Sequence, residues 1–496
     1  MATSKDFVVG DGIQIMGNLV VGSYYLTNTA PQGGAIISGN VGVGTSSPVL
    51  PLVVQNDISA TTYYADLGIP STPPSLNLNF LSPTSVLDSR ISFTRASNAT
   101  VTNSTGNIAI ISNNVPAFDY DPLTLSPLGL RIESSRTNLV PYNIELVGTG
   151  WRTIGATVYT RRIYSPDGTI NASNVVVTGV GGLDTGHTYY EYSIPVAGTT
   201  FYNNSVFAKK GNADTIEVYN FYLGGATARG SYLRYTFSTN TVTIGIGSGD
   251  PGAMPITYGA VQYPNGWVRL YWSTYDTLGT SITIQLRLHA ATRASSTTGT
   301  YTYYWGAQGE AGIYPTSLIY NNGSGSTTRS ADVARVSPIS PWFNTTQGML
   351  RVTVKVPYLI DTQYQAAVEI CNATTLNSQV IVARYNINGA PQVRAIVRDA
   401  NGFTVSSQIS NSWSNANVCT TTVSYNTSSG IYSSAFNAAT VGSTVNITPI
   451  WNTVAPDTLN IGNHAGNSLF LDGWIRNLSY YPVSQSNATV QSFSAP

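Results

Sequence analysis

Short runs of alternating apolar and polar residues recur along this chain, and no sustained helical period interrupts them. Leu350, Val352, Val354 and Val356 alternate with Arg351, Thr353 and Lys355, the pattern of a strand with one buried face. Ile282, Ile284, Leu286 and Leu288 repeat it around Thr283, Gln285 and Arg287, as do Val242, Ile244 and Ile246. Pro166-Asp167-Gly168, Asp250-Pro251-Gly252 and Pro264-Asn265-Gly266 supply turns between such runs, so hairpins are expected. Segments 379–385 and 473–480 read as further strands, and the pattern leaves room only for a short surface helix near 484–492. The expected fold is all-β, with a short β-structured N-terminal segment followed by two antiparallel β-sandwich (jelly-roll) domains.

Four regions follow from the spacing of these runs. Residues 1–70 are poor in charge and rich in glycine, with similar pieces at 17–22 and 39–44. Each is a turn and a brief strand that cannot bury a face alone, so this segment is expected to attach to other proteins or to trimerise. Residues 71–138 gather Asp88, Arg90, Arg95, Asp119, Asp121, Arg131, Glu133 and Arg136, read as opposite charges holding an extended junction in register. Residues 139–335 form the first sandwich, closed by a linker or loop at 321–326, and residues 336–496 form the second.

Composition sharpens this reading. Charged residues are 9% of the 496, against roughly a quarter in a typical soluble domain. The 32 Tyr, 13 Phe and 8 Trp nevertheless supply ample material for cores. Lys plus Arg number 23 and Asp plus Glu 23, with no basic run to neutralise phosphates, so no nucleic-acid partner is expected. No apolar run suits a membrane-spanning helix, and no hydrophobic stretch follows the first six residues as a signal peptide would require. Cys371 and Cys419 are expected as free thiols, a disulfide between them being the alternative.

Candidate chemistry is sparse. Glycoside hydrolysis needs two carboxyl groups across a sugar-binding cleft. Asp119 and Asp121 face one side of an extended segment, but Pro122 and nearby arginines favour a structural turn there. His187, His289 and His464 lie too far apart for a short-spaced zinc pair, so no metal ligands are named. Sugar recognition fits the residues better, because rings stack on pyranose faces while Asn, Asp and Gln bond hydroxyls. Tyr189, Tyr192, Tyr271, Trp272 and Tyr303 are the glycan-binding candidates of the first sandwich, and His464, beside Asn463 and Asn467, is that of the second.

The piece at 39–48 resembles a Gly-rich element of bacteriophage fiber and tail-protein joints. Segments 87–100, 115–122 and 129–139 look like a module of phage tail and head fibers, and 205–211, 265–269, 304–310 and 314–319 resemble the jelly-roll that follows it. Residues after about 340 look like a laminin-G or concanavalin-A-like sandwich. The resemblance implies a virion fiber, a homotrimer joined to other virion proteins through its N-terminal segment and attached to host surface polysaccharide, with no enzymatic activity and no cofactor. It also allows calcium, as in some laminin-G-like domains, but Asp361, Glu369, Asp399, Asp457 and Asp472 are too scattered to name a site. A decoration fiber without a specific ligand and a polysaccharide depolymerase are the alternatives.

Overall fold

The computed structural model describes strands at 19–21, 35–37, 41–43 and 52–54, and most of 72–496. Within the latter, 83–85, 180–188, 197–200, 224–228, 249–254, 276–281, 293–296, 359–364, 375–377, 388–389, 399–403, 411–416, 440, 442–454 and 467 are not described. Residues 1–64 form one compact unit and 65–496 another. In the first, Leu19–Val21 pairs in parallel with Ala35–Ile37, and Val41–Val43 with Leu52–Val54. The attachment and trimerising roles expected of residues 1–70 otherwise lie outside the described residues, as does the turn at 250–252.

The second unit is all-β, with several antiparallel sheets arranged as sandwiches. One sandwich is continuous in sequence. Its sheets run 151–154, 189–196, 282–288, 215–223, 229–236, 241–248 and 156–164, 170–177, 301–311, 201–209, 267–275, 257–262. Trp272, Leu270, Leu286, Leu288, Val206 and Tyr304 fill the space between them.

The other sandwich is split. Its C-terminal strands are joined by Leu76–Asn79, Ile91–Thr94, Ala117–Tyr120 and Pro127–Ile132. Leu76 and Leu78 are buried while Asn77 and Asn79 are exposed, and this strand pairs with Gly473–Tyr481. Pro127–Ile132 pairs with that same strand nearer its start. Ile91–Thr94 pairs with Val333–Val336. Residues 71–138 are therefore not an extended junction. Their apolar faces enter the same core as Leu350, Val352, Val354, Ile461 and Tyr480, and an extended passage would have left those faces in water. The continuous sandwich is an insert between the two parts of the split one, and Arg136–Asn138 pairs with Thr327–Arg329 where it leaves and returns.

Local chemistry fixes several joints. At Gly129 (φ +118°) a bulge lets the strand pass Ile475, whose carbonyl any added Cβ would strike. The 321–326 segment is tied down: Asn321 donates to the carbonyls of Val140 and Gly325 at 3.1 and 2.7 Å. The terminal helix Asn487–Phe493 starts at Ser486, whose hydroxyl accepts from Thr489 N at 3.3 Å.

Cys371 and Cys419 are buried and form no disulfide, and burial pushes their thiols up to about 12 and 11. Neither thiolate forms near neutral pH, so a disulfide reagent is expected to label them only after unfolding. Rapid labelling of the native protein would contradict this placement.

Candidate functional site

Six charged side chains are buried where the insert joins the split sandwich: Arg95, Asp119, Arg131, Glu133, Arg329 and Asp332. Arg95 donates to Asp332 Oδ1 at 3.0 Å and to the carbonyls of Ser97, Ser112 and Val115 at 3.0, 2.9 and 2.8 Å. Asp332 Oδ2 accepts from the Glu133 amide at 2.9 Å. Arg329 lies 3.6 Å from Glu133 and 3.7 Å from Asp332, and donates to the Ser134 carbonyl at 2.6 Å. Glu133 also accepts from Ser317 N and Oγ at 2.8 and 2.7 Å. Burial by itself would raise the Glu133 pKa, but Arg329, Arg131 and the Ser317 donors outweigh it and hold the carboxyl at about 2.

Arg131 pairs with Asp119 and lies 3.8 Å from Glu133, and its guanidinium sits 5.8 Å from the Trp474 ring centre. Asp119 accepts as well from Thr102 N at 2.7 Å and Trp474 Nε1 at 3.0 Å. This network backs a cavity of about 290 Å³ between the two sandwiches. The split sandwich contributes Asp119, Asp121, Arg131, Lys355, Tyr358, Asp472 and Trp474 to its wall, and the insert contributes Tyr263, Arg269 and Tyr271. Tyr358 stacks on Tyr314 at 4.6 Å and meets Tyr271 edge-on at 5.2 Å. Burial raises the Tyr263, Tyr271 and Tyr358 hydroxyls above the usual range, so all three remain neutral donors.

The wall carboxylates differ in character. Burial opposes the charge on Asp121, yet the amides of Leu123 and Thr124 at 3.0 and 2.9 Å bring its pKa below the usual value. Asp472 accepts from Ser134 N and Oγ at 2.6 and 3.1 Å, but there burial prevails and raises its pKa.

Of the residues singled out from sequence, Asp119, Asp121, Arg131, Glu133 and Tyr271 meet at this cavity. Arg95 lies in the network behind it. Arg136 sits on the insert's connecting ribbon, where its charge reaches Asp472. Asp88 and Arg90 form their own exposed pair at 2.7 Å, apart from the network.

The other glycan candidates lie elsewhere. Trp272 is fully buried between the insert's sheets, and Tyr189 is buried beneath Arg287, whose guanidinium is 4.3 Å from its ring centre. Neither ring is open to a sugar: alternation turns Trp272 into the core, and Tyr189, on the face opposite Tyr190, is covered by Arg287 and His289. Tyr192 packs against Trp151 at 5.5 Å, and Tyr303 against Tyr301 at 5.6 Å. His464 Nε2 lies 3.4 Å from Glu369 in a tight loop, away from the cavity.

Sequence reading missed Tyr263, Arg269, Lys355, Tyr358 and Trp474 as site residues. Trp474 carried a signal, since period two places it opposite Ile475, on the face of its strand that should be polar.

No protein-family model and no curated protein matches the chain. Solved structures do. One is the CBM40 of a Ruminococcus gnavus sialidase bound to α2,3-sialyllactose, at 15% identity over 31% of this chain and 84% of that one, with a TM-score of 0.26. Another is NanB sialidase of Streptococcus pneumoniae, at 16% identity over 32% of this chain and 26% of that one, with a TM-score of 0.26. A third is domain 4 of AbnA, a GH43 arabinanase of Geobacillus stearothermophilus in complex with arabinotriose, at 12% identity over 36% of this chain and 82% of that one, also at 0.26.

None of these three structures is a phage fiber, and that expectation is not kept. With it go the virion-protein partners and the exclusion of enzymatic activity.

Proposed function

We propose that this chain binds a glycan in the cavity between its two sandwiches. The observation that carries this reading is the wall itself, where Tyr263, Tyr271, Tyr358 and Trp474 share about 290 Å³ with hydrogen-bonding carboxylates and cations. Rings supply flat apolar faces for the C–H side of a pyranose, and paired carboxylate oxygens accept from neighbouring hydroxyls. The volume is at the small end of the range for ligand pockets, which suits one or two sugar residues rather than a long chain.

A glycan array followed by calorimetry tests the reading. Trp474→Ala is expected to weaken the best ligand about tenfold or more, in line with losing a buried aromatic contact. Affinity that survives both Trp474→Ala and Tyr358→Ala would place the binding elsewhere.

Glycan cleavage is a second reading, since Asp121 and Asp472 both line the cavity. Asp472 is held above its usual pKa while Asp121 is held below, and general acid catalysis needs one protonated and one ionised carboxyl. Glu133, held at about 2, is a poor proton donor. Cleavage predicts new reducing ends from a bound glycan and their loss with Asp472→Asn. A ligand recovered intact after prolonged incubation would leave binding alone.

A further inference from the structure

Charge in the cavity wall is unevenly satisfied. Asp119 has three donors, from Arg131, Thr102 and Trp474, and Glu133 has Ser317 with two arginines nearby. Asp472 accepts twice from Ser134, and Asp121 accepts from two backbone amides. None of these acids requires a ligand cation.

The two remaining cations are in the opposite position. Arg269, on the insert, donates from Nη2 to Ser205 Oγ at 2.9 Å, and its Nε is buried without a hydrogen-bond partner. Its charge faces the Tyr263, Tyr271 and Tyr358 hydroxyls, which are neutral. Lys355, on the split sandwich, is half-buried and feels Asp121 at longer range, and burial weakens its hold on its proton. Among the described residues neither Arg269 nor Lys355 stands in an ion pair. Arg269 has the Phe207 ring 5.5 Å away and Lys355 has Asp121 at longer range, but a half-buried cation without a directly paired anion is costly, and a neutral sugar would desolvate both further.

We propose that the ligand of this cavity is an acidic glycan, its anionic group seated between Arg269 of the insert and Lys355 of the split sandwich. This rests on the glycan reading above and adds the substrate class. A carboxylate or a sulfate ester has the required chemistry: oxygens that accept from a guanidinium fork and from an ammonium group together. Seated so, the anion supplies a direct counter-charge to Arg269 and to Lys355, which otherwise has Asp121 only at longer range. One ligating cation comes from each sandwich, so the anionic group also fastens the insert to the rest of the chain.

The test uses the full chain and needs no substitution at first. An array of neutral, carboxylated and sulfated glycans is probed, and the best acidic binder is compared by calorimetry with its carboxyl-reduced or desulfated form. Removing the charge is expected to weaken binding tenfold or more, and the sulfated members show whether a carboxylate specifically is needed. Arg269→Gln and Lys355→Gln should each shrink the difference between charged and neutralised ligands, in proteins whose unfolding midpoints are checked alongside. Neutral members that bind as tightly as acidic ones would overturn the acidic-glycan assignment while leaving glycan binding intact. An array on which nothing binds would remove both.

Discussion

Replacing Arg95 by alanine is expected to lower the unfolding free energy by about 3–5 kcal/mol, the range for breaking a buried ion pair from one side. An arginine is ordinarily found at the surface, yet this side chain is enclosed and donates to Asp332 and to three carbonyls. Those acceptors belong to the segments just before and just after the hairpin at 99–111 and to the segment that returns from the insert. Alanine strands all of them and leaves Asp332 with less positive charge nearby. Arg95→Lys should recover little, because a single ammonium cannot span the four directions that the planar guanidinium reaches. Urea unfolding of the two variants against wild type decides it. A loss below about 1 kcal/mol for alanine would mean that the network is open to water and worth no more than a surface pair.

The second large effect depends on pH. Glu133 is held at about 2, below the ordinary value of 4.5, so the folded state binds its proton more weakly than the unfolded chain does. A depressed carboxyl contributes stability that is complete above the unfolded value and fades as pH falls towards the folded one. The gap corresponds to about 3 kcal/mol, present at pH about 5 and gone near pH 2. Wild type should therefore exceed Glu133→Gln by roughly that amount in mildly acidic urea titrations, and the two curves should converge on acidification. Other lowered carboxyls, Asp121 among them, act in both proteins and cancel in the comparison. A difference that stays constant with pH would show that Glu133 acts by shape and hydrogen bonding alone.

The cavity was half legible. Asp119, Asp121, Glu133 and Tyr271 stood out in the sequence as charge or aromatic in a charge-poor chain, and they do meet there. Arg269 and Lys355 did not, because each sits on an ordinary alternating strand where a polar-face residue is expected to meet only water, whereas Trp474 was marked only by being an aromatic on such a face. Tyr271 and Trp272 make the same point from adjacent positions. Period two says that they face opposite ways, but not which one enters the core, and the heavier aromatic went inside.

Local pattern determined the strands themselves, since alternation at 76–79 and 350–356 is a property of neighbours in the chain. It also determined that the described fold is all-β. Only the tertiary structure decided that Leu76–Asn79 lies beside Gly473–Tyr481, about 400 residues away, with a whole sandwich inserted between them. Any strand with one apolar face can complete either core, so the choice of partner is made by long-range packing and by the buried charges that close the joint, and neither leaves a periodic mark in the sequence.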